Sequence, residues 1–116
     1  MKLLIAGSRS ITSFDLSPYI PDEVDLIITG GAKGIDTLAE AYARERRIPT
    51  LTVKPRYEKY GRAAPILRDE EMVDMADAVL VIWDGTSRGS KHTADYARKQ
   101  GKPLTVVIDG TDSGKP

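Results

Sequence analysis

The sequence contains no cysteine, and only one tryptophan, one histidine and one phenylalanine occur among its 116 residues. Without cysteine, the chain offers no thiolate, which excludes cysteine nucleophiles, cysteine-ligated zinc and thiol redox chemistry. This composition predicts a cytoplasmic protein, because disulfides are typical of oxidising compartments. A single histidine among scattered carboxylates provides no cluster of metal ligands, so we expect neither a metal nor a cofactor.

Net charge is lacking as well, since 17 lysine and arginine residues balance 17 aspartate and glutamate residues. No overall field would steer the protein to nucleic acid, which is therefore a disfavoured partner, and any anion site must be local. No apolar run approaches the roughly 20 residues of a membrane-spanning helix. The opening apolar residues are too few for a signal peptide, and we expect no membrane partner.

Short apolar runs alternate with amphipathic stretches along the chain. The runs lack period-two alternation, which is typical of strands covered on both faces. Strands are predicted at Lys2–Ala6, Asp25–Thr29, Thr50–Val53, Ala78–Ile82 and Leu104–Ile108. Helices are predicted at Ile35–Arg46, Ala63–Met75 and Thr93–Lys99, and at most a short helix lies between Ser13 and Ile20.

This alternation predicts the α/β class: one Rossmann-like, doubly wound domain with helices on both faces. We expect a five-stranded parallel sheet in the order 3-2-1-4-5 over residues 1–109, followed by a disordered tail at residues 110–116. Ligands of such sheets bind outside the carboxyl ends of the strands, where the strand order reverses. The loops that begin at Gly7, Gly30 and Trp83 lie at that edge.

The loop after the second strand has the pattern GGxxG, formed by Gly30, Gly31 and Gly34. Glycines and the free amides of a following helix suit a phosphate, although the spacing is neither that of a Walker loop nor of a dinucleotide fingerprint. Alternatively, the glycines serve only strand-to-helix packing. Asp36 would repel a phosphate, so it either caps the helix or faces a neutral group such as a ribose hydroxyl.

Two further loops carry basic residues. Arg9 follows the first strand directly, and its guanidinium either binds a phosphate or carboxylate or is a solvated surface group. The stretch Lys54–Arg62 is basic and contains two tyrosines. It either covers the site and stacks on a base, or it is a solvated connection whose tyrosines pack on neighbouring helices.

The loop after the fourth strand combines hydroxyls and cations at a second helix start, which suits an anion. Asp84 supplies an acceptor there, and Trp83 offers a flat apolar wall. His92 is either an acid or base, or a residue that forms hydrogen bonds and packs. From the three loops, we expect a ligand-binding set of Gly7, Ser8, Arg9, Gly30, Gly31, Gly34, Asp36, Trp83, Asp84, Gly85, Ser87, Arg88 and Gly89.

Three motifs together carry a resemblance: "GSRSIT", "TGGAKGIDTLAEAYARE" and "KYGRAAPILRDEEMVDMADAVLVIWDGTSRGSKHTADYARKQGKPL". With them, residues 1–108 resemble the SLOG superfamily of Rossmann-like domains, which includes the LOG phosphoribohydrolases and DNA-processing protein A. Within it, the chain looks like the small YspA/YpsA-related branch. The resemblance implies a nucleotide-derived ligand at the strand ends, held by Arg9, Gly30, Gly31, Gly34, Asp36, Arg68, Asp84, Ser87, Arg88 and Gly89.

The chain departs from these relatives at two places. Asp69 stands where the branch usually has asparagine, so an acceptor-only anion replaces an amide beside Arg68. The LOG motif Pro-Gly-Gly-x-Gly-Thr-x-x-Glu has no counterpart of its glutamate in the stretch 84–92. The catalytic candidates that remain are Asp36, Asp84 and His92.

We therefore expect a domain that binds a nucleotide or nucleotide-derived phosphorylated ligand, as a sensor or processing domain. One alternative is an N-glycosidase that acts on nucleoside monophosphates, and turnover is left open. Another is single-stranded DNA binding, which the zero net charge disfavours. A homodimer is a further alternative, built on the apolar residues of the third helix: Ile66, Leu67, Met72, Val73 and Met75.

Overall fold

The computed structural model of the protein describes residues 1–109. Its strands are β1 (Lys2–Gly7), β2 (Leu26–Thr29), β3 (Thr50–Thr52), β4 (Ala78–Trp83) and β5 (Leu104–Ile108). Its helices are α1 (Ile35–Arg46), α2 (Tyr57–Tyr60), α3 (Ala64–Met75) and α4 (Arg88–Lys99), with 3-10 turns at Ser17–Tyr19 and Gly61–Ala63. The strands form one parallel sheet in the order β3-β2-β1-β4-β5, which confirms the predicted fold class and strand order.

The centre of the sheet is buried on both faces. Leu4 pairs with Ile28 of β2 on one side and with Val79 of β4 on the other. One face packs against α1 and the segment 11–24, and the opposite face packs against α3 and α4. Since every residue of β1 and β4 inside this sandwich is covered, the strands are continuously apolar rather than alternating.

Helix α4 begins five residues earlier than the sequence pattern predicts, at Arg88 instead of Thr93. Gly89 and Ser90 are weak helix formers, and this obscured the first turn. The start is fixed by Ser87, whose extended backbone (φ −67°, ψ 131°) marks the N-cap position. Because of this shift, residues predicted as loop lie on the first turn of a helix that faces the sheet edge.

The other boundaries agree with the prediction to within one residue, and the stretch 54–62 contains α2 where a loop was expected. No helix within residues 1–109 is both long and apolar enough to cross a membrane. The expected disordered tail, residues 110–116, lies outside the described residues. The domain limit at residue 109 therefore stays a prediction.

Candidate functional site

A cleft of about 410 Å³ opens at the carboxyl ends of β1 and β4, where the strand order reverses. This is the place that the doubly wound topology predicts for a ligand. Eight residues of the expected set line it: Gly7, Ser8, Arg9, Asp36, Arg68, Asp84, Ser87 and Gly89. The remaining six are not among its lining residues: Gly30, Gly31, Gly34, Trp83, Gly85 and Arg88.

Several glycines at this edge are explained by packing. A Cβ added to Gly7 would lie 2.4 Å from the carbonyl oxygen of Ile82 and 2.6 Å from the side chain of Ile35. A Cβ on Gly34, whose φ is +74°, would lie 2.4 Å from the carbonyl oxygen of Ser8. These glycines let β1, β4 and the start of α1 approach each other closely, as in the packing alternative considered above.

The turn between β2 and α1 uses its amides internally. The N–H groups of Gly30 and Ala32 both donate to Oδ2 of Asp36, at 3.2 and 3.1 Å. Asp36 is buried, with 7% of its surface exposed, and this burial raises its pKa although the two amides and Arg68 oppose the shift. No residue within 1–109 donates a hydrogen bond to its other oxygen, Oδ1.

Arg68 fastens this turn to its neighbours. Its Nη1 donates to the carbonyl oxygens of Gly30 at 2.9 Å and Val53 at 3.2 Å, so it joins the ends of β2 and β3 to α3. Its Nε donates to Oδ1 of Asp69 at 2.8 Å. Asp69 therefore orients Arg68 rather than pairing with another cation. Burial raises the pKa of Asp69, and the attraction of Arg68 opposes the rise.

The turn between β4 and α4 is organised by Asp84. Its Oδ1 accepts hydrogen bonds from the amides of Thr86 at 2.9 Å and Ser87 at 2.8 Å, and its Oδ2 accepts one from the hydroxyl of Ser10 at 2.8 Å. These donors hold the pKa of Asp84 well below its usual range. A carboxylate that stays ionised in this way is a structural acceptor and a poor proton donor.

A chain of serine hydroxyls crosses the wall of the cleft. Oγ of Ser8 accepts the amide of Asp84 at 2.9 Å and lies 2.9 Å from Oγ of Ser87. Ser87 in turn donates to Oγ of Ser90 at 3.0 Å. Sequence reasoning missed Ser90, because its face of α4 is recognisable only once the helix is known to begin at Arg88.

The N-terminus of α4 opens into the cleft. No acceptor within residues 1–109 receives a hydrogen bond from the amides of Arg88, Gly89 or Ser90, which are the first three of the helix. A Cβ added to Gly89 would meet no atom within 4 Å. These N–H groups, together with the positive end of the helix dipole, are suited to an anion.

Trp83 and His92 have local structural partners. Nε1 of Trp83 donates to the carbonyl oxygen of Ser87 at 2.9 Å, which supports the turn from outside the cleft. Nε2 of His92 lies 2.9 Å from Oε2 of Glu70, so the histidine connects α4 to α3. Its ring also stacks on Tyr96, with the centroids 6.4 Å apart. Of the two alternatives for His92, these contacts match the one in which it forms hydrogen bonds and packs.

A second, smaller cavity of about 270 Å³ lies on the other side of Arg68, between α3 and the basic stretch 54–62. Tyr60 lines it, whereas neither tyrosine of this stretch lines the main cleft. Tyr57 and Tyr60 are 58% and 40% exposed. The stretch is thus a largely solvated connection, as one of the two alternatives predicted. Its tyrosines are more exposed than that alternative predicted, since they were expected to pack on neighbouring helices.

The sequence of the chain is similar to those of a known protein family and of two known proteins. A family profile described as "YspA, cpYpsA-related SLOG family" matches residues 1–60, and Gene 61 protein of Mycobacterium phage D29 is 32% identical over 119 residues. That alignment covers 89% of the chain and 93% of the phage protein. The chain belongs to the YspA, cpYpsA-related SLOG family. The predicted family is therefore confirmed.

A second relative of this SLOG protein is GTPase Der of Moorella thermoacetica, which is 32% identical over 114 residues. The alignment covers 93% of the chain but 24% of that GTPase, so the chain spans about a quarter of its length. No solved structure shows a significant match. Membership of the family indicates a nucleotide-related function.

Proposed function

We propose that this SLOG protein binds a nucleotide or nucleotide-derived phosphorylated ligand in the cleft between β1 and β4, as a sensor or processing domain. The observation that carries the proposal is the start of α4. Its first three amides have no acceptor within residues 1–109, and a Cβ on Gly89, which lines the cleft, would meet no atom within 4 Å. A phosphate placed there would accept these N–H groups, and the exposed guanidinium of Arg9 would add positive charge at the rim. Arg88 is exposed on the first turn of α4 and would add charge from outside the cleft lining.

The remaining cleft residues fit the non-phosphate part of such a ligand. Hydroxyls of Ser8, Ser87 and Ser90 and the carboxylates of Asp36 and Asp69 line the wall and floor. The volume of about 410 Å³ lies within the range usual for small-molecule sites. In this assignment, Gly30, Gly31, Gly34, Trp83 and Gly85 shape the loops, and Arg68 fixes the floor.

A thermal-shift screen followed by calorimetry tests the proposal. The panel contains adenine and guanine nucleotides and ADP-ribose; guanine nucleotides are included because one relative is named a GTPase. At least one compound should raise the melting temperature and bind with measurable heat. Arg9→Ala and Arg88→Ala should weaken this binding. Arg44→Ala should not, because Arg44 lies on the exposed face of α1 and does not line the cleft. If no compound binds, or if the rim variants bind like wild type, the proposal is wrong.

A second candidate function is hydrolysis of the N-glycosidic bond of a nucleoside monophosphate. It is favoured by one observation: burial raises the pKa of two carboxyl groups that line the cleft, Asp36 and Asp69. Acids tuned in this direction are the ones that glycosidic chemistry uses to protonate a leaving group. Asp84 and His92 fit this role less well, because their hydrogen bonds are already committed to the turn and to Glu70.

Chromatography of nucleoside monophosphates incubated with the protein decides this second candidate. Free base should appear and should disappear with Asp36→Asn. Absence of base at high protein concentration leaves the chain as a binding domain. A salt-dependent gel shift with single-stranded DNA tests the disfavoured DNA alternative.

The proposed homodimer and location are separate predictions. Ile66 and Leu67 on α3 are 47% and 37% exposed, whereas Met72 and Val73 are buried in the core. Met75 is half-buried against the core, so Ile66 and Leu67 are the most exposed of the five residues. Light scattering after size exclusion measures the mass. Cell fractionation tests the predicted cytoplasmic location.

A further inference from the structure

The floor of the cleft has a chemistry opposite to that of its rim. At the rim, the amides at the start of α4 and the guanidinium of Arg9 are donors. At the floor, Asp36 and Asp69 are acceptors when ionised, and both line the cleft. A ligand that satisfies both ends must carry an anion at one end and neutral hydrogen-bond donors at the other.

At the floor of the cleft, one carboxylate oxygen of Asp36 accepts hydrogen bonds from the protein and the other accepts none within residues 1–109. Oδ2 holds the amides of Gly30 and Ala32, while Oδ1 has no donor within residues 1–109. The residue is buried, with 7% of its surface exposed, and it lines the cleft. A buried acceptor without a partner is costly, and a ligand that donates to it regains that cost.

Within residues 1–109, Asp69 also has one oxygen with a partner and one without. Its Oδ1 accepts Nε of Arg68 at 2.8 Å, and its side chain is 13% exposed. No residue in the described range 1–109 donates to its Oδ2. Nη1 of the same arginine and Oδ2 of Asp36 lie 2.7 and 3.1 Å from one point, the Cβ position that Gly30 lacks. The guanidinium of Arg68 therefore lies close to both carboxylates.

Resting on the proposed function, we infer that Asp36 and Asp69 form a subsite for the vicinal hydroxyls of a ribosyl group, with the ligand's phosphate at the start of α4. The two floor carboxylates repel a phosphate, so the ligand enters with its sugar inward and its phosphate at the rim. The subsite selects ribosyl over 2-deoxyribosyl ligands, because the deoxy sugar leaves one buried carboxylate oxygen without a donor.

Calorimetry with two matched pairs of probes tests the inference: AMP against 2′-deoxy-AMP, and ribose 5-phosphate against 2-deoxyribose 5-phosphate. Wild-type protein should bind each ribosyl probe roughly tenfold or more tightly than its deoxy partner, as expected for loss of a hydrogen bond to a charged group. Inorganic phosphate serves as the probe of the rim alone and should bind most weakly.

Two variants assign the selectivity to the floor. In Asp36→Asn, the amide oxygen can still accept the Gly30 and Ala32 amides, and the amide nitrogen replaces the free acceptor. Asp69→Asn likewise retains an oxygen for Arg68. Both should fold, which circular dichroism and melting temperature check, and both should reduce the ribosyl preference severalfold while binding of inorganic phosphate is unchanged or stronger.

The outcomes separate the two proposals. If the ribosyl and deoxy probes bind wild type equally, or if both asparagine variants retain the full preference, the floor subsite is wrong while nucleotide binding stands. If none of the probes binds, the floor subsite is wrong, and the wider nucleotide screen above decides the proposed function.

Discussion

Two turns at the same sheet edge, β2–α1 and β4–α4, each contain a carboxylate that accepts hydrogen bonds from backbone amides. The pKa values of the two carboxyl groups nevertheless shift in opposite directions. Asp36 in the first turn is buried, and burial raises its pKa. Asp84 in the second is partly exposed and accepts hydrogen bonds from the turn amides and from Ser10, which lower its pKa. Desolvation dominates in one turn and hydrogen bonding in the other.

The comparison shows that a glycine-rich turn is not by itself an anion site. The β2–α1 turn looks like a phosphate loop, but Asp36 already occupies two of its amides. In the β4–α4 turn, Asp84 occupies the amides of Thr86 and Ser87, and the next three amides are left for a ligand. We therefore expect phosphate at α4 and not at the Gly30 turn.

The largest expected effect is the loss of the guanidinium that supports the β2–α1 turn. Arg68→Ala should lower the free energy of unfolding by about 3–5 kcal/mol, because Asp69 and the carbonyl oxygens of Gly30 and Val53 lose a buried partner. Urea denaturation measures this. The control is Arg56→Ala, whose ion pair with Glu71 at 3.4 Å is exposed and should contribute less than about 1 kcal/mol. Equal losses in the two variants would contradict the role of Arg68.

A pair of glycine substitutions compares the packing of the two turns. Gly34→Ala should cost roughly 3 kcal/mol or more, because its Cβ would lie 2.4 Å from the backbone oxygen of Ser8 at a φ of +74°. Gly85→Ala has a similar φ of +88° but meets nothing within 4 Å, so it should cost only about 1–2 kcal/mol of backbone strain. Chemical denaturation of both gives the difference, and a larger cost at Gly85 would be the reverse of what packing predicts.

The opposite pKa shifts predict opposite pH dependences. The raised pKa of Asp36 contributes stability below the ordinary aspartate pKa, and this is lost as the pH rises through the folded-state value. The lowered pKa of Asp84 contributes stability above the ordinary value, and this is lost as the pH falls toward the folded-state value.

Melting temperatures of wild type, Asp36→Asn and Asp84→Asn between pH 2.5 and 7 measure this. Relative to Asp36→Asn, wild type should lose stability as the pH rises from about 4. Relative to Asp84→Asn, it should gain stability as the pH rises from below about 4. Two differences that change with pH in the same direction would show that burial does not distinguish the two turns.

The substitution Gly89→Ala should have the smallest effect on stability but a large effect on nucleotide binding. Gly89→Ala fills open space on the first turn of α4, so it should preserve or raise the stability by up to about 1 kcal/mol. Its methyl group should nevertheless obstruct the amides that face the ligand and weaken nucleotide binding by roughly tenfold. Lys99→Ala, at the exposed far end of the same helix, is the control. Unchanged affinity in Gly89→Ala would remove α4 from the site.

Much of the fold was predictable because its determinants are local. Continuous apolar runs such as Ala78–Ile82, separated by helical periods, define a parallel sheet, and the right-handed crossovers bring Gly7, Asp36 and Asp84 to one edge. The start of α4 was missed because Gly89 and Ser90 weaken the helical pattern of its first turn, and because the long-range hydrogen bond from Ser10 to Asp84 leaves no signal in the local sequence.

The roles of individual residues in the site were harder to predict from the sequence than the location of the site. The glycines of the GGxxG pattern fit both phosphate binding and packing, and the close contacts of Gly34 and the hydrogen bonds of Asp36 distinguish the two. Asp69 was visible as a departure from the family's usual asparagine, but the orientation of its partner Arg68 is also set by hydrogen bonds to the distant carbonyl oxygens of Gly30 and Val53. Long-range contacts of this kind leave no periodic pattern in the sequence.

The central claim is that the phosphate binds at the start of α4. The most direct measurement is an NMR titration of nitrogen-15-labelled protein with AMP, followed through the backbone amide resonances. The account predicts that Arg88, Gly89 and Ser90 shift most, and that Gly30 and Ala32, which donate to Asp36, shift little. Shifts centred on Gly30 and Ala32 with the start of α4 unperturbed would contradict it.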